Sequence, residues 1–435
     1  MAPPSILILC YQFPPVNGTG ARRPYYLARA LADDGHRVGV LTTDIGEAQP
    51  WLPDTSGIEV YRTPKTTVQR DLSAWQRWLA KLYWSHQGKP GHGLVRIAAD
   101  LLLPEGHIDR WDILPEEVEQ HLGRYDIVLA TCPSWYPFRL AAKLVDRWSA
   151  LFVADYRDPW TLRIPTLHLQ GFTQFGTGLS GWLRKRKMER AERRWPGRAF
   201  ALTAISAPLL DNARLTTGVQ RGAVFHGGFD PLLRPQPYLR REQFNIVYTG
   251  RVYAQQDWYG VMRALDLVRE RDPSLAKHLC ISLYGAVSES DALLGDLKTF
   301  GERTGMIRLL PRLGRDETML AQQTADAVLH ISPDDHQGGL PVKFLEYLGC
   351  GRPILLFIKK ADLESEAVAT TRTGAIANNV EALADILHHR ATQWQQGLMW
   401  TIEPNPTELQ RFDYGRNMKA MAAQLRAWHA EFNTK

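Results

Sequence analysis

No apolar run in this 435-residue chain approaches the roughly 18 residues a helix needs to span a bilayer. The stretch Ser5–Cys10 is too brief for a signal-peptide core, and Tyr-Gln-Phe-Pro-Pro follows it where a small-residue cleavage site would stand. The expectation is therefore a cytoplasmic protein. Cysteine is scarce: Cys10, Cys132, Cys280 and Cys350 are scattered, lack metal-ligand spacing and read as reduced thiols. No acidic pair has metal spacing either, so neither a metal nor a resident cofactor is expected. Charge of one sign is not in large excess. The 52 basic and 46 acidic side chains leave a formal +6, and no zinc finger or RNA-binding aromatic signature appears, which argues against nucleic acid as a partner.

The chain does have short apolar runs alternating with polar helical stretches, which argues for α/β architecture with parallel sheets. Its length suggests two or three domains with ample material for cores. Ile6–Leu9 reads as a buried strand, followed by a loop over Tyr11–Gly20, a helix from about Arg22 to Asp34 and a second strand over Val38–Leu41. Gly18 and Gly20 stand just ahead of the helix, where backbone can approach a ligand closely. An ordinary surface turn accounts for them equally well. A dinucleotide site is disfavoured although Asp44 ends the second strand, because the third fingerprint glycine falls on Arg23 and the loop is long and holds two prolines.

The most informative stretch is Gly338–Ile354. A Gly-Gly turn leads into a helical segment with Lys343 and Glu346 on one face, and Gly349, Gly351 and Pro353 stop it before the apolar run Ile354–Ile358. A glycine turn opening a helix offers free N–H groups and the positive dipole end to an anion. Lys343 adds a full charge, and Glu346 offers a carboxylate for vicinal hydroxyls. Together they suit a nucleotide's phosphates and ribose. A solvated helix with a charged face is the plainer alternative.

This segment resembles the donor-binding signature of the family-4 glycosyltransferases, which have the GT-B fold: α/β, with two Rossmann-like domains facing each other across a cleft. Pro341, Lys343, Glu346 and Tyr347 are similar to the sub-branch that includes bacterial O-antigen and amino-sugar transferases. Of the family's two glutamates, the second matches Glu346 and the first, which contacts the donor sugar, falls on Gly338. The resemblance covers nearly the whole chain. It implies an acceptor domain over 1–228, a donor domain over 229–413 and a helix over 414–435 that crosses back to the first domain. Gly18 and Gly20 become the glycine-rich loop of the cleft. Gly227, Gly228, Phe229 and Asp230 match the family's Asn-Gly-x-Asp crossing with the asparagine lost, and a proline-containing linker follows to about Tyr238.

Further donor residues implied by the resemblance are Gly250, Arg251, Gly285, Arg312, Leu313, Gly339, Leu340 and Pro341. Arg251 matches the family's diphosphate-binding arginine. The lysine that usually follows is replaced by Gln256 or a neighbour, with Lys343 able to supply the charge. Strands end at Thr249, Tyr284, Leu310 and Ile331 on the way to the signature helix. In the first domain, Asp126–Ala130 and Leu151–Ala154 read as strands flanking a helix over Phe138–Trp148. The string Asp155-Tyr-Arg-Asp-Pro-Trp160 looks like the acceptor-side loop, with Asp155, Arg157 and Asp158 pointing to the cleft. Asp158 would orient or deprotonate an acceptor hydroxyl, and Arg157 would hold an anionic group. An Asp–Arg pair that merely fastens a loop is the alternative. The histidine many family members place here is missing from Thr131–Trp160.

Two stretches stand apart. Residues 68–122 read as an insertion in which Trp75, Trp78, Tyr83 and Trp84 recur at helical spacing with Arg77 and Lys81 between them. Trp182–Trp195 carries Arg184, Lys185, Arg186, Lys187, Arg190, Arg193 and Arg194 on one helix. Such segments fit an anionic membrane surface at the inner face of the membrane, or else a packed aromatic stripe and a solvated basic face.

The reading is a metal-independent hexosyl- or N-acetylhexosaminyltransferase that takes a UDP-sugar donor and a hydroxyl acceptor, lipid-linked or soluble, and by resemblance retains the anomeric configuration. Asp158, Arg251 and Lys343 are its catalytic candidates. The alternatives on the same plan are a sugar-nucleotide epimerase and a catalytically silent binding protein.

Overall fold

The computed structural model describes residues 3–434 except 47–49, 65–71, 87, 104–110, 112, 133–134, 163–177, 231–237, 239, 287–290 and 334–337. The linker expected after Asp230, part of the loop after Cys132 and the start of the 68–122 insertion lie outside the described residues. The chain forms two compact units, one of Met1–His226 with Gly415–Lys435 and one of Gly227–Tyr414.

The first unit is built on a seven-stranded sheet of β1 (Ile6–Leu9), β2 (Val38–Asp44), β3 (Ile58–Pro64), β4 (Ile127–Thr131), β5 (Leu151–Tyr156), β6 (Ala201–Ala204) and β7 (Gly222–Val224). All its pairs are parallel, in the order β3-β2-β1-β4-β5-β6-β7, with Ile6 opposite both Val38 and Ile127. β1 and β4 are wholly buried, as their near-continuous apolar runs require of parallel strands covered on both faces. The strand order reverses between β1 and β4, and in open parallel sheets ligands bind beyond the carboxyl ends at such a point.

β2 and β5 run further than their apolar residues suggest, to Asp44 and Tyr156, and the first helix starts at Thr19. The polar ends of these strands are satisfied inside the fold. Thr43 donates to the Tyr11 carbonyl, and Asp155 meets a buried arginine. The last helix, Tyr414–Phe432, sinks Met418, Met421, Ala422 and Leu425 completely. In the first unit it is tied by Asn417 to the His226 carbonyl, by Arg426 to Asp34 and by Phe432 against Phe200.

Helices 74–85 and 92–102 close over a small core of their own, formed by Leu72, Leu79, Ala80, Tyr83, Ala99 and Leu103. Further along the presumed insertion, Trp111, Ile113, Val118 and Leu122 belong instead to the main core of the sheet. The basic helix, Gly178–Arg194, packs on helix 92–102 and buries Glu189, Ala191 and Glu192.

The second unit carries a six-stranded parallel sheet of β8 (Phe244–Thr249), β9 (Leu279–Tyr284), β10 (Ile307–Leu310), β11 (Ala327–Ile331), β12 (Ile354–Phe357) and β13 (Gly374–Ala377). Its order is β10-β9-β8-β11-β12-β13, so the switch point lies between β8 and β11. One face packs Trp258, Val261 and Leu265, and the other packs Phe344, Tyr347 and Leu348 of the helix Val342–Gly349. Both units are thus Rossmann-like sheets with helices on both faces.

Candidate active site

At the carboxyl edge of the second sheet, Gly250 follows β8 and Gly285 follows β9, with φ of +88° and +67°. A side chain there would strain the backbone and meet neighbours: a Cβ on Gly250 would stand 3.6 Å from Lys343 Cε, and one on Gly285 would stand 3.3 Å from Arg312. At Gly285 the space is tight against Arg312, whereas at Gly250 the contact is ordinary and the positive φ is what calls for glycine. Arg312 is exposed and Leu313 partly so. The helix that carries Lys343 opens at Pro341, with no side-chain cap among the described residues, and the buried Gly338 and Gly339 precede it. Its first-turn N–H groups and dipole point out of the end that Leu340 and Pro341 lead into.

Lys343 Nζ lies 3.9 Å from the centre of the Tyr248 ring and 3.4 Å from the Arg251 carbonyl oxygen, to which Tyr248 also donates at 2.6 Å. Loss of hydration pushes its ammonium down to about 7, against an opposite pull from Glu346 and Glu364. The Arg251 side chain is exposed. Glu346, one helical turn beyond Lys343, is partly buried and pairs with Arg315 at 3.4 Å. Arg315 in turn pairs with Asp230, also at 3.4 Å.

Gln256 does not replace a phosphate-binding lysine. It is buried, and its carbonyl accepts from Trp258 and the Tyr253 N–H, with the Tyr248 hydroxyl 3.0 Å away sharing its one proton with the Arg251 carbonyl. Its amide donates to the Ile331 carbonyl at 2.8 Å. Its role is to fix the loop that follows β8, and the cations at this strand end are Lys343 and Arg251.

In the first unit, Asp155 is 1 % exposed and does not face outward. Arg23 grips it from Nε and from a terminal nitrogen at 2.8 Å, and the hydroxyls of Thr131 and Thr203 donate to it at 2.8 and 2.7 Å. Burial alone would raise its proton affinity. The Arg23 charge and these hydrogen bonds outweigh that and hold the carboxyl below its ordinary value. Arg157 is also a brace, since it donates to the carbonyls of Gly20, at 2.7 Å, and Cys132. Gly18 and Gly20 crowd the Gln12 side chain, which supplies a close approach from within the chain.

Asp158 differs from both. Among the described residues none hydrogen-bonds its carboxylate, and burial raises its proton affinity against the opposing Arg157 charge. Beside it in the chain, Trp160 stacks on the partly exposed Trp135 with ring centres 4.9 Å apart.

Some residues here escaped sequence reasoning. Arg315 is the first residue of the helix Arg315–Gln323, where a cation opposes the dipole, and that misplacement was its signal. His330, lone in an apolar strand, is buried 3.1 Å from the equally buried Glu364. Tyr347 belongs to the motif read from the sequence, and what the structure adds is that it takes the Thr249 N–H at 3.0 Å and holds the signature helix to the end of β8.

No protein-family model matches the sequence, and no curated protein matches it. Solved structures do match over nearly the full length. HepE from Anabaena in complex with UDP is 15 % identical, with a TM-score of 0.51 over 99 % of this chain and 97 % of that one. The UDP-forming α,α-trehalose-phosphate synthase from Burkholderia vietnamiensis is 9 % identical, with 0.58 over 97 % and 100 %. A glycosyltransferase from Rickettsia africae is 13 % identical, with 0.55 over 99 % of each chain. At these identities the likeness speaks for architecture, and the two parallel α/β units of this chain have the GT-B fold.

Proposed function

We propose that this chain is a glycosyltransferase that moves a hexosyl or N-acetylhexosaminyl group from a UDP-sugar to a hydroxyl acceptor. The observation that carries it is the edge of the second sheet, where Lys343, Gly250 and the start of the helix Val342–Gly349 meet, with Glu346 one turn on. The UDP held by HepE and the UDP-forming synthase of the same fold support the choice of base. As the bond from sugar to diphosphate breaks, negative charge grows on the leaving phosphate. Lys343, Arg251 and the helix N–H groups stabilise it, each about 3–4 kcal/mol if they behave as oxyanion-hole donors do. These cations do the work often given to a metal. Glu346 accepts from the ribose hydroxyls.

On the acceptor side, Asp158 takes the proton of the attacking hydroxyl, a task that its raised proton affinity favours. The reaction retains the anomeric configuration in this reading, and the chain stands with family 4 near the O-antigen and amino-sugar transferases. The acceptor is lipid-linked and the protein works on the inner face of the membrane. Supporting that placement, Trp75, Trp78 and Trp182 are 54 %, 65 % and 53 % exposed, beside exposed Arg77, Lys81, Lys185 and Arg186. Arg184 and Lys187 are not part of this patch, because Asp100 and the carbonyls of Asp100 and Leu103 engage them.

Incubation with a panel of UDP-sugars tests the reading. Transfer, or slow hydrolysis without acceptor, is expected. Epimerised donor, or binding without turnover, would replace it with the epimerase or the silent binding protein.

A further inference from the structure

We infer that Arg315 is a positioning residue that fixes the Glu346 carboxylate for the ribose hydroxyls of the nucleotide. The inference rests on the donor reading above and adds to it a residue outside the signature helix. The fork of Arg315 spans two carboxylates, one terminal nitrogen 3.4 Å from Glu346 Oε1 and the other 3.4 Å from Asp230 Oδ2. The three side chains are only 22 %, 22 % and 14 % exposed, so the pairing is partly shielded from water and salt.

Asp230 is anchored through its neighbour in the chain. Asp230 follows Phe229, whose N–H donates to the Phe412 carbonyl at 2.8 Å and whose carbonyl accepts from the Tyr414 N–H at 3.3 Å. The Phe229 ring packs on Gly349, at the far end of the signature helix. Asp230 therefore holds Arg315, and Arg315 holds Glu346. A glutamate without such a partner would spread over several rotamers and lose that freedom only on binding.

The charge balance points the same way. Glu346 and Asp230 bring negative charge close to a site for a diphosphate, and Arg315 between them lowers the net charge of the three from two negatives to one. This also explains a cation at the start of a helix, where the dipole disfavours it. The acidic Asp316 and Glu317 of the same turn compensate, with Glu317 accepting the Gly314 N–H at 2.9 Å.

Calorimetric titration with UDP and with 2′,3′-dideoxy-UDP tests the inference. Wild type should prefer UDP by about ten- to a hundredfold, the range for charge-assisted hydrogen bonds. Arg315→Gln should shrink that preference to about that of Glu346→Gln, while affinity for the dideoxy ligand changes less than about threefold. Arg315→Lys, with the charge but not the fork, should fall between. A general structural role, or direct contact of Arg315 with phosphate, would weaken both ligands equally and overturn the inference. So would an Arg315→Gln protein that keeps the full preference, with the donor reading left standing. Wild type that binds neither ligand would sink the donor reading itself.

Discussion

UDP affinity should fall as pH rises through neutrality, because Lys343 loses its proton there. Its ammonium lies partly buried against the Tyr248 ring and is pushed down to about 7. Such a group is about 90 % protonated at pH 6 and about 10 % at pH 8. The diphosphate selects the ammonium form, so affinity should drop about tenfold over that interval, ~1.4 kcal/mol. The sign follows from the bound state: a phosphate beside the ammonium raises its pKa, so binding takes up a proton wherever the free lysine has lost it. In calorimetry in two buffers of different ionisation enthalpy, the lysine's share should be an uptake of about 0.1, 0.5 and 0.9 protons per UDP at pH 6, 7 and 8. The ligand's own terminal phosphate, ionising near about pH 6, contributes to the acid limb in every variant. Lys343→Arg stays charged throughout, so the difference between the two profiles isolates the lysine. Equal slopes for the two proteins, or no proton uptake by wild type at pH 8, would refute the reasoning.

Asp158→Asn should leave UDP binding intact and lower transfer by about a hundredfold or more, with the acid limb of the wild-type profile lying above the ordinary carboxylate range; normal turnover would return the residue to a structural role. Arg23→Leu should cost about 3–5 kcal/mol in denaturant unfolding, because it strands a buried carboxylate. Asp155 is held below its ordinary value, so that stabilisation is complete above about pH 4 and fades as pH falls through the lowered value; an unchanged midpoint would contradict it. The protein should sediment with anionic vesicles at low salt and not with neutral ones, each surface cation contributing about 1 kcal/mol. Replacing Trp75, Trp78, Trp182, Lys185 and Arg186 with serine should abolish this, whereas wild type left in the supernatant would favour a soluble acceptor.

The signature helix was legible because its chemistry is local. Glycines, a helix start, Lys343 and Glu346 all fall within a few turns, and the dipole argument needs no other part of the chain. Strand cores such as Ile6–Leu9 and Ala327–Ile331 were legible because burial on both faces leaves an unbroken apolar run. Asp155 was not legible, since its partner Arg23 lies 132 residues away and an aspartate at a strand end looks the same paired or open. Gln256 was missed likewise, because its three partners converge only once the loop after β8 is folded. Of the aromatic stripe, helical spacing could not say that Tyr83 packs inward while Trp75 and Trp78 face solvent.

The last helix carries a consequence for biosynthesis. The first unit is discontinuous, since its fold is completed by Gly415–Lys435, which follows the whole of the second unit in the chain. Asn417, Arg426 and Phe432 tie that helix to the His226 carbonyl, Asp34 and Phe200, so these partners in the first unit stay unmet until the helix emerges from the ribosome. The later-made unit, being contiguous, can be complete before the earlier one. While translation runs through 227–414, the amino-terminal sheet waits unfinished, and that interval is when a nascent chain of this design is most exposed to aggregation and most in need of a chaperone.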